Sequence, residues 1–167
     1  MKDQTRENLE AAFAGESQAH LRYMVYADTA EREGRSNVAR LFHAASYSEQ
    51  IHAANHLRSL REVGDSAKNL EVALAGETHE VVEMYPAYIE LAAEQEESGA
   101  ERSMERAFEA EKVHAALYRQ AGEAVAAGKD VALGAVYVCE VCGYTMEGEA
   151  PDRCPVCGAP HTRFKTF

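Results

Sequence analysis

Four cysteines, all that the chain contains, lie near its C-terminus as two pairs, Cys139/Cys142 and Cys154/Cys157. Each pair places two thiolates on one tight turn, and two facing turns can close a tetrahedron around a single metal ion. A glycine follows each pair, and its freedom to adopt positive φ lets backbone N–H groups turn toward the sulfurs. The spacing favours metal over two disulfides and predicts one four-thiolate site.

The cysteine spacing does not choose the metal. A tetrahedron of thiolates suits zinc, which would make a structural ribbon, and equally a single iron, which would make a one-electron redox centre.

Charge and hydropathy exclude several classes of partner. A net charge of −11 argues against nucleic acid and anionic membrane surfaces. We expect no membrane span, because no apolar run approaches the required ~20 residues. The polar N-terminus lacks a signal-peptide core, and together with reduced cysteines it predicts a cytoplasmic protein.

Composition changes near Gly128, from Ala, Glu and Leu to Gly, Pro, Val and cysteine. We therefore expect two domains, a helical one over residues 1–130 and a small metal-held one over 131–167. A module this small cannot bury an adequate core alone, so its metal must supply much of the folding free energy.

Helical periodicity before that boundary predicts four helices and a mainly α fold. Glycines lie at or just past the ends of the first three, where helices commonly stop. The four predicted helices cover residues 4–33, 36–63, 78–98 and 100–127.

Carboxylates lie on the inner, apolar stripe of every predicted helix. A buried ionised carboxylate is costly unless it is paired, hydrogen-bonded or bound to metal, and two divalent ions would remove that cost. Two of these glutamates are followed three residues later by a histidine, one turn along the same face. The residues on these stripes are Glu16, Glu49 with His52, Glu80 with Glu83, and Glu111 with His114. Two Glu plus two Glu-x-x-His, one contribution per helix, is the pattern of ferritin-like di-iron four-helix bundles.

The pattern is an internal repeat, because the spacing from Glu16 to Glu49 is nearly the same as the spacing from Glu80 to Glu111. A local alignment of Ala14–Ser17 with Ala75–Thr78 would instead pair Glu16 with Glu77. We prefer Glu80, since it leaves similar helix lengths, and interpret Glu77 as a carboxylate in the first turn of a helix.

The chain resembles the rubrerythrin family over essentially its whole length. The phrases that carry the resemblance are FAGESQAHLRY (13–23), SEQIHAANH (48–56), GETHEVVEMYP (76–86), EAEKVHAALY (109–118) and CEVCGY…CPVCGAP (139–160). The resemblance implies a ferritin-like four-helix bundle with a di-iron site and a small C-terminal rubredoxin-like domain whose cysteines hold a single iron.

The resemblance also implies roles for individual residues. His114 resembles a permanent iron ligand, whereas His52 and Glu83 resemble alternative ligands for the reduced and oxidised states. Tyr23 and Tyr88 resemble tyrosines beside the metals, whose hydroxyls could hydrogen-bond the ligands. The core carboxylates would be Glu16, Glu49, Glu80 and Glu111, with Glu49 and Glu111 as bridges.

The activity implied is a peroxidase that reduces hydrogen peroxide to water and so protects against oxidative stress. Its electrons would come from the cysteine-bound iron, supplied by rubredoxin or an NAD(P)H-dependent reductase, in a head-to-tail homodimer. The alternatives are a ferroxidase that handles iron, and a helical binding protein with a zinc ribbon.

Only residues 64–77 join the second predicted helix to the third. Such a short connection favours a domain-swapped dimer, in which helices one and two of one chain pack on helices three and four of another. Five histidines have no predicted role: His20, His43, His56, His79 and His161.

Overall fold

The computed structural model describes residues 1–167 and confirms the mainly α class. Five α-helices precede a small sheet, and no helix is both long and apolar enough to cross a membrane. The helices are α1 Asp3–Arg32, α2 Ser36–Leu60, α3 Ser66–His79, α4 Tyr85–Glu94 and α5 Ser98–Ala126. The strands are β1 Val136–Cys139, β2 Thr145–Glu147 and β3 Phe164–Thr166, and the antiparallel sheet has the order β2-β1-β3.

The first compact unit, Met1–Gly64, is a helical hairpin of α1 and α2. Its buried positions are mostly alanines, among them Ala27 and Ala30 on α1 and Ala39 on α2. Small side chains at these positions let the two helix axes approach closely. The predicted first and second helices are confirmed within a few residues.

The second compact unit, Asp65–Phe167, contains the other three helices and the sheet. Both α3 and α4 pack against α5, and strand β2 also contacts α5. The sheet is thus joined to the helical layer of its own unit. The expected domain boundary at residues 130/131 stays a prediction.

The predicted start of the third helix, residue 78, is wrong. Helix α3 begins at Ser66, after Asp65 accepts a hydrogen bond from the backbone N–H of Lys68 at 2.9 Å. This N-cap satisfies one of the unpaired donors of the first turn. The segment interpreted as a connection is therefore largely helix, and Glu77 lies in the last turn of α3 rather than in a first turn.

A π-helical turn, Glu80–Met84, separates α3 from α4. The wider hydrogen bond of this turn runs from the N–H of Tyr85 to the carbonyl of Glu80. Pro86 follows in the first turn of α4. Proline has no N–H and its ring clashes with an α-helical carbonyl, so a wider turn before it relieves that conflict.

The π turn accounts for a small difference in length between the two halves of the repeat. The stretch from Glu77 to Ser98 is longer by a single residue than the equivalent stretch from Glu16 to Ser36. From each of these serines, the spacing to the glutamate of the next Glu-x-x-His motif is identical, Ser36 to Glu49 in the first half and Ser98 to Glu111 in the second. The additional residue therefore lies between Glu77 and Ser98, the stretch that contains the π turn.

The turns that close the two repeats share their backbone geometry but differ in the residue at the left-handed position. The N–H of Arg35 bonds the carbonyl of Ala30 at 2.8 Å, and the N–H of Glu97 bonds that of Ala92 at 2.9 Å. The residue before each donor has a left-handed backbone: it is Gly34 with φ of 73° in the first turn and Glu96 with φ of 58° in the second.

We expect Glu96→Gly to raise the free energy of unfolding by about 1 kcal/mol, because it removes a side chain from a left-handed position. Denaturant titration of the metal-loaded protein measures this change. Glu97→Gly is the matched control, since it removes the same charge at a residue with φ of −86°. Glu97→Gly should lower the free energy of unfolding. Equal changes in the two variants would contradict the prediction.

Candidate metal centres

The four cysteine sulfurs converge as a tetrahedral site requires. Cys139 Sγ lies 3.7 Å from Cys157 Sγ, and Cys142 Sγ lies 3.6 Å from Cys154 Sγ. A metal bonded to four sulfurs at about 2.3 Å makes a tetrahedron with edges of about 3.8 Å, whereas a disulfide is near 2.05 Å. All four cysteines are free. The predicted cluster of four thiols is confirmed.

The two cysteine turns have the same backbone geometry. Gly143 donates to the carbonyl of Cys139 and Gly158 to that of Cys154, each at 2.8 Å. Both glycines have positive φ, 80° and 74° respectively. This is the conformation that the glycine after each pair predicted, and it turns backbone N–H groups toward the sulfurs.

The fold shifts the pKa values of Cys139 and Cys142 in opposite directions. Burial opposes ionisation of Cys139, but N–H donors from Val141 and Cys142 lower the pKa of this thiol below its usual value. Burial and the neighbouring thiols raise the pKa of Cys142. A bound metal cation would favour the thiolate form of Cys142, which fits a four-thiolate metal site.

The first compact unit brings Glu16, Glu49 and His52 together, with potential ligand atoms within 4.8 Å of one another. Glu16 comes from α1, and the other two come from one face of α2. The Nδ1 atom of His52 lies 2.9 Å from Oε2 of Glu49.

The second compact unit brings together Glu77 of α3 with Glu111 and His114 of α5. The Nδ1 atom of His114 lies 2.6 Å from Oε2 of Glu111, which reproduces the pairing in the first unit. Burial, a hydrogen bond with Glu111 and the charges of Glu111 and Glu80 raise the pKa of Glu77 to about 7. Carboxylates this close favour a proton or a metal ion between them.

A hydroxyl contact supports the equivalence of Glu16 and Glu77. The Ser17 hydroxyl, directly after Glu16, donates to the carbonyl of Phe13 at 2.7 Å. The Thr78 hydroxyl, directly after Glu77, donates to the carbonyl of Leu74 at 2.6 Å. The local alignment that pairs these glutamates therefore corresponds to matching geometry, although the sequence analysis preferred Glu80.

Neither Glu80 nor Glu83 belongs to either three-residue cluster. Glu80 is half-buried on the π turn, close enough for its charge to raise the pKa of Glu77. The side chain of Glu83 is 72% exposed and pairs with His79 at 3.4 Å. Metal binding by these two glutamates stays a prediction.

The tyrosine beside the second cluster is Tyr85, which the sequence analysis did not select. Burial and the charges of Glu80, Glu111 and Glu77 raise the pKa of its hydroxyl. Tyr88 is 51% exposed. In the first unit, half-buried Tyr23 packs its ring against Phe42, with centroids 6.0 Å apart.

Four of the unassigned histidines have partners in the fold. His20 Nδ1 lies 2.9 Å from the hydroxyl of buried Ser46 and so links α1 to α2. His43 pairs with Glu31, His79 with Glu83, and His161 with the carbonyl of Pro151. These contacts are structural, and none lies in a cluster.

The raised pKa of Glu77 predicts a pH dependence when no metal is bound at the carboxylates. The folded chain then holds more protons than the unfolded chain between pH 4.5 and about 7, so its stability falls as pH rises through that range. Such a shift corresponds to about 3 kcal/mol at most.

We expect Glu77→Gln to abolish most of this decline, because glutamine stays neutral. Chemical unfolding at several pH values, with zinc bound at the cysteines only, measures how the free energy of unfolding changes with pH. Glu90→Gln, a change at an exposed position on α4, is the control and should leave the slope as it is. A decline of the same size in both variants would show that Glu77 is not its source.

Comparisons with known proteins agree with this geometry. The rubrerythrin family model matches residues 7–122, and the model of the rubrerythrin rubredoxin-like domain matches residues 137–165. Rubrerythrin-2 of Clostridium acetobutylicum is 42% identical over 177 residues, covering 98% of this chain and 96% of the relative. Nigerythrin of Nitratidesulfovibrio vulgaris is 34% identical, covering 98% and 86% respectively.

The fully reduced, all-ferrous structure of nigerythrin aligns with this chain at a TM-score of 0.55 and 34% identity, covering 98% of this chain and 86% of that one. The glutamate–histidine clusters fit a di-iron site, and the four cysteines fit a rubredoxin-like site. The chain belongs to the rubrerythrin family.

Proposed function

We propose that the chain is a di-iron peroxidase that reduces hydrogen peroxide to two water molecules, consuming two electrons and two protons. The observation that carries the proposal is the contact between its two candidate centres. His114 of the second carboxylate cluster lies 2.8 Å from the hydroxyl of Thr145, which is three residues after Cys142. The second carboxylate cluster therefore contacts the strand that directly follows a cysteine turn.

The proposed ligand set combines the two clusters of the repeat. Glu16, Glu49 and His52 would form one half, and Glu77, Glu111 and His114 the other. Four ionised carboxylates balance the charge of two ferrous ions, and the loss of two electrons leaves an excess of positive charge. Glu80, one turn from Glu77, is the nearby carboxylate that could offset this excess.

When bound, two ferrous ions supply both electrons for peroxide at once. The residues around them position ligands and retain protons. Tyr85 stays protonated because burial and three carboxylates raise its pKa, and its hydroxyl can donate a hydrogen bond toward the cluster. Nδ1 of His114 and Oε2 of Glu111 lie 2.6 Å apart, close enough for both atoms to bind the same metal ion.

Electrons would reach the carboxylate site through the cysteine-bound iron. Cys139 and Cys154 are buried, whereas Cys142 and Cys157 are half-exposed. A donor would therefore approach on the Cys142/Cys157 side. We infer that this donor is rubredoxin or an NAD(P)H-dependent reductase, and that the protein works in the cytoplasm, where thiols stay reduced.

Anaerobic stopped-flow spectroscopy tests the activity. We expect peroxide to oxidise both iron centres of the reduced protein faster than dioxygen does. In Glu111→Gln the cysteine-bound iron should keep its spectrum but lose rapid oxidation by peroxide, because its electrons no longer reach a complete carboxylate site. Glu109→Gln, an exchange of the same kind two residues away, is the control.

Two results together would support a ferroxidase and overturn the proposal: faster oxidation by dioxygen than by peroxide, and the formation of more ferric iron than the metal sites can hold. Equal peroxide rates in wild type and Glu111→Gln would show that the cysteine iron reacts without the carboxylate site.

We also propose a homodimer. Each compact unit holds three ligands of the proposed site, and large apolar side chains such as Leu41 and Tyr47 on α2 and Val82 on the π turn are exposed in the single chain. A second copy would cover such surfaces. In a domain-swapped dimer, each complete site takes one cluster from each chain.

Complementation between Glu49→Gln and Glu111→Gln tests the swap, because each variant damages a different half of the site. Random reassociation of swapped dimers restores about a quarter of the wild-type sites, since half of the dimers are mixed and each has one intact site. Peroxide turnover after unfolding and refolding the mixture measures this. A mixture as inactive as the separate variants would contradict the swap.

A further inference from the structure

The two carboxylate–histidine clusters are alike except at the second ring nitrogen of the histidine. In both, Nδ1 faces the glutamate three residues earlier. The Nε2 atom of His52 has no hydrogen-bond partner within the chain, and that side chain is 50% exposed. His114 is 30% exposed, and its Nε2 lies 2.8 Å from the hydroxyl oxygen of Thr145.

Thr145 is one of only two buried polar residues in the chain, 5% exposed at the start of β2. Its hydroxyl group donates to the backbone carbonyl of Gly143 at 3.2 Å. A hydroxyl has one proton, so the oxygen has only lone pairs left to offer His114. With that proton directed at Gly143, Nε2 of His114 is the donor in the 2.8 Å contact, and Nδ1 keeps a lone pair that a metal shared with Glu111 would accept.

The position of Thr145 is set by the cysteine turn. It pairs with Val138 in the antiparallel ladder of β1 and β2, and Cys139 donates to the carbonyl of Tyr144 at 2.9 Å. Gly143, whose carbonyl orients the hydroxyl, follows Cys142 directly. The local fold that holds the thiols therefore also fixes the oxygen that contacts His114.

We propose that Thr145 is a positioning residue that holds His114 in the Nε2–H tautomer, with Nδ1 free to bind a metal at the Glu77/Glu111 cluster. His52 has no such restraint, so Thr145 makes the two halves of the repeat chemically unequal. The proposal rests on metal binding at this cluster, but not on peroxide chemistry.

The full-length protein loaded with zinc at all sites and labelled with ¹⁵N-histidine provides the test. Long-range ¹H–¹⁵N spectra report which ring nitrogen carries the proton. We expect one histidine, assigned through loss of its signals in His114→Gln, to be the Nε2–H tautomer with a slowly exchanging proton. Thr145→Ser should keep this signal, because serine retains the hydroxyl.

Thr145→Val preserves the shape and the strand preference but removes the acceptor. We expect the exchange protection of His114 to disappear and zinc affinity at the carboxylate cluster to fall by roughly 10-fold, as for other outer contacts to metal-bound histidines. The thiolate-to-cobalt absorption of cobalt-loaded protein should be unchanged, which shows that the cysteine module is still folded. Thr166→Val, in strand β3 of the same sheet, is the matched control.

An Nδ1–H tautomer at His114, or full exchange protection and zinc affinity in Thr145→Val, would overturn the proposal. A wild-type protein that shows the protected Nε2–H but fails to reduce peroxide would support the role of Thr145 and count against the peroxidase alone.

Discussion

The structure depends on the gathering of acidic side chains that cannot all ionise without cations. Glu77 shows this directly, because neighbouring carboxylates and burial raise its pKa to about 7. Among the thiols, burial and the neighbouring sulfurs raise the pKa of Cys142, whereas backbone donors lower that of Cys139. Burying apolar side chains at these positions would cost less free energy than burying acidic ones. The acidic clusters are therefore explained by the metals that they can hold.

The helical part is built from one hairpin used twice, with a single residue added. The closing turns share their hydrogen bonds, and a hydroxyl residue follows both Glu16 and Glu77. In each half, the helix that carries the Glu-x-x-His motif places it at the same spacing from its first serine. The added residue lies in the stretch with the π turn before Pro86. Glu80 at the start of this turn and Tyr85 directly after it lie near the second cluster, whereas the position equivalent to Glu80 in the first repeat is Ala19.

Much of this arrangement could be predicted from sequence, because cysteine pairs and Glu-x-x-His motifs combine fixed spacing with distinctive chemistry. The third helix was harder: Glu77, one turn before the predicted Glu80, belongs to the second cluster, and Tyr85, one turn before the predicted Tyr88, lies beside it. Helical periodicity cannot separate positions one turn apart, and the expected helix start at residue 78 placed Glu77 at a helix N-terminus, so Glu80 was preferred. The N-cap at Asp65 and the repeated hydroxyl residue were the available signals. The Thr145 contact joins distant segments and has no sequence pattern.

The strand that carries Thr145 also bears on the order in which the metal sites assemble. The thiols can gather a metal using one short stretch of chain, whereas His114 obtains its hydroxyl partner only once that stretch is folded. Filling of the sites would then be ordered, with the four-thiolate site completed before the carboxylate–histidine cluster. A chain with metal at the cysteines alone is the assembly intermediate that this order implies.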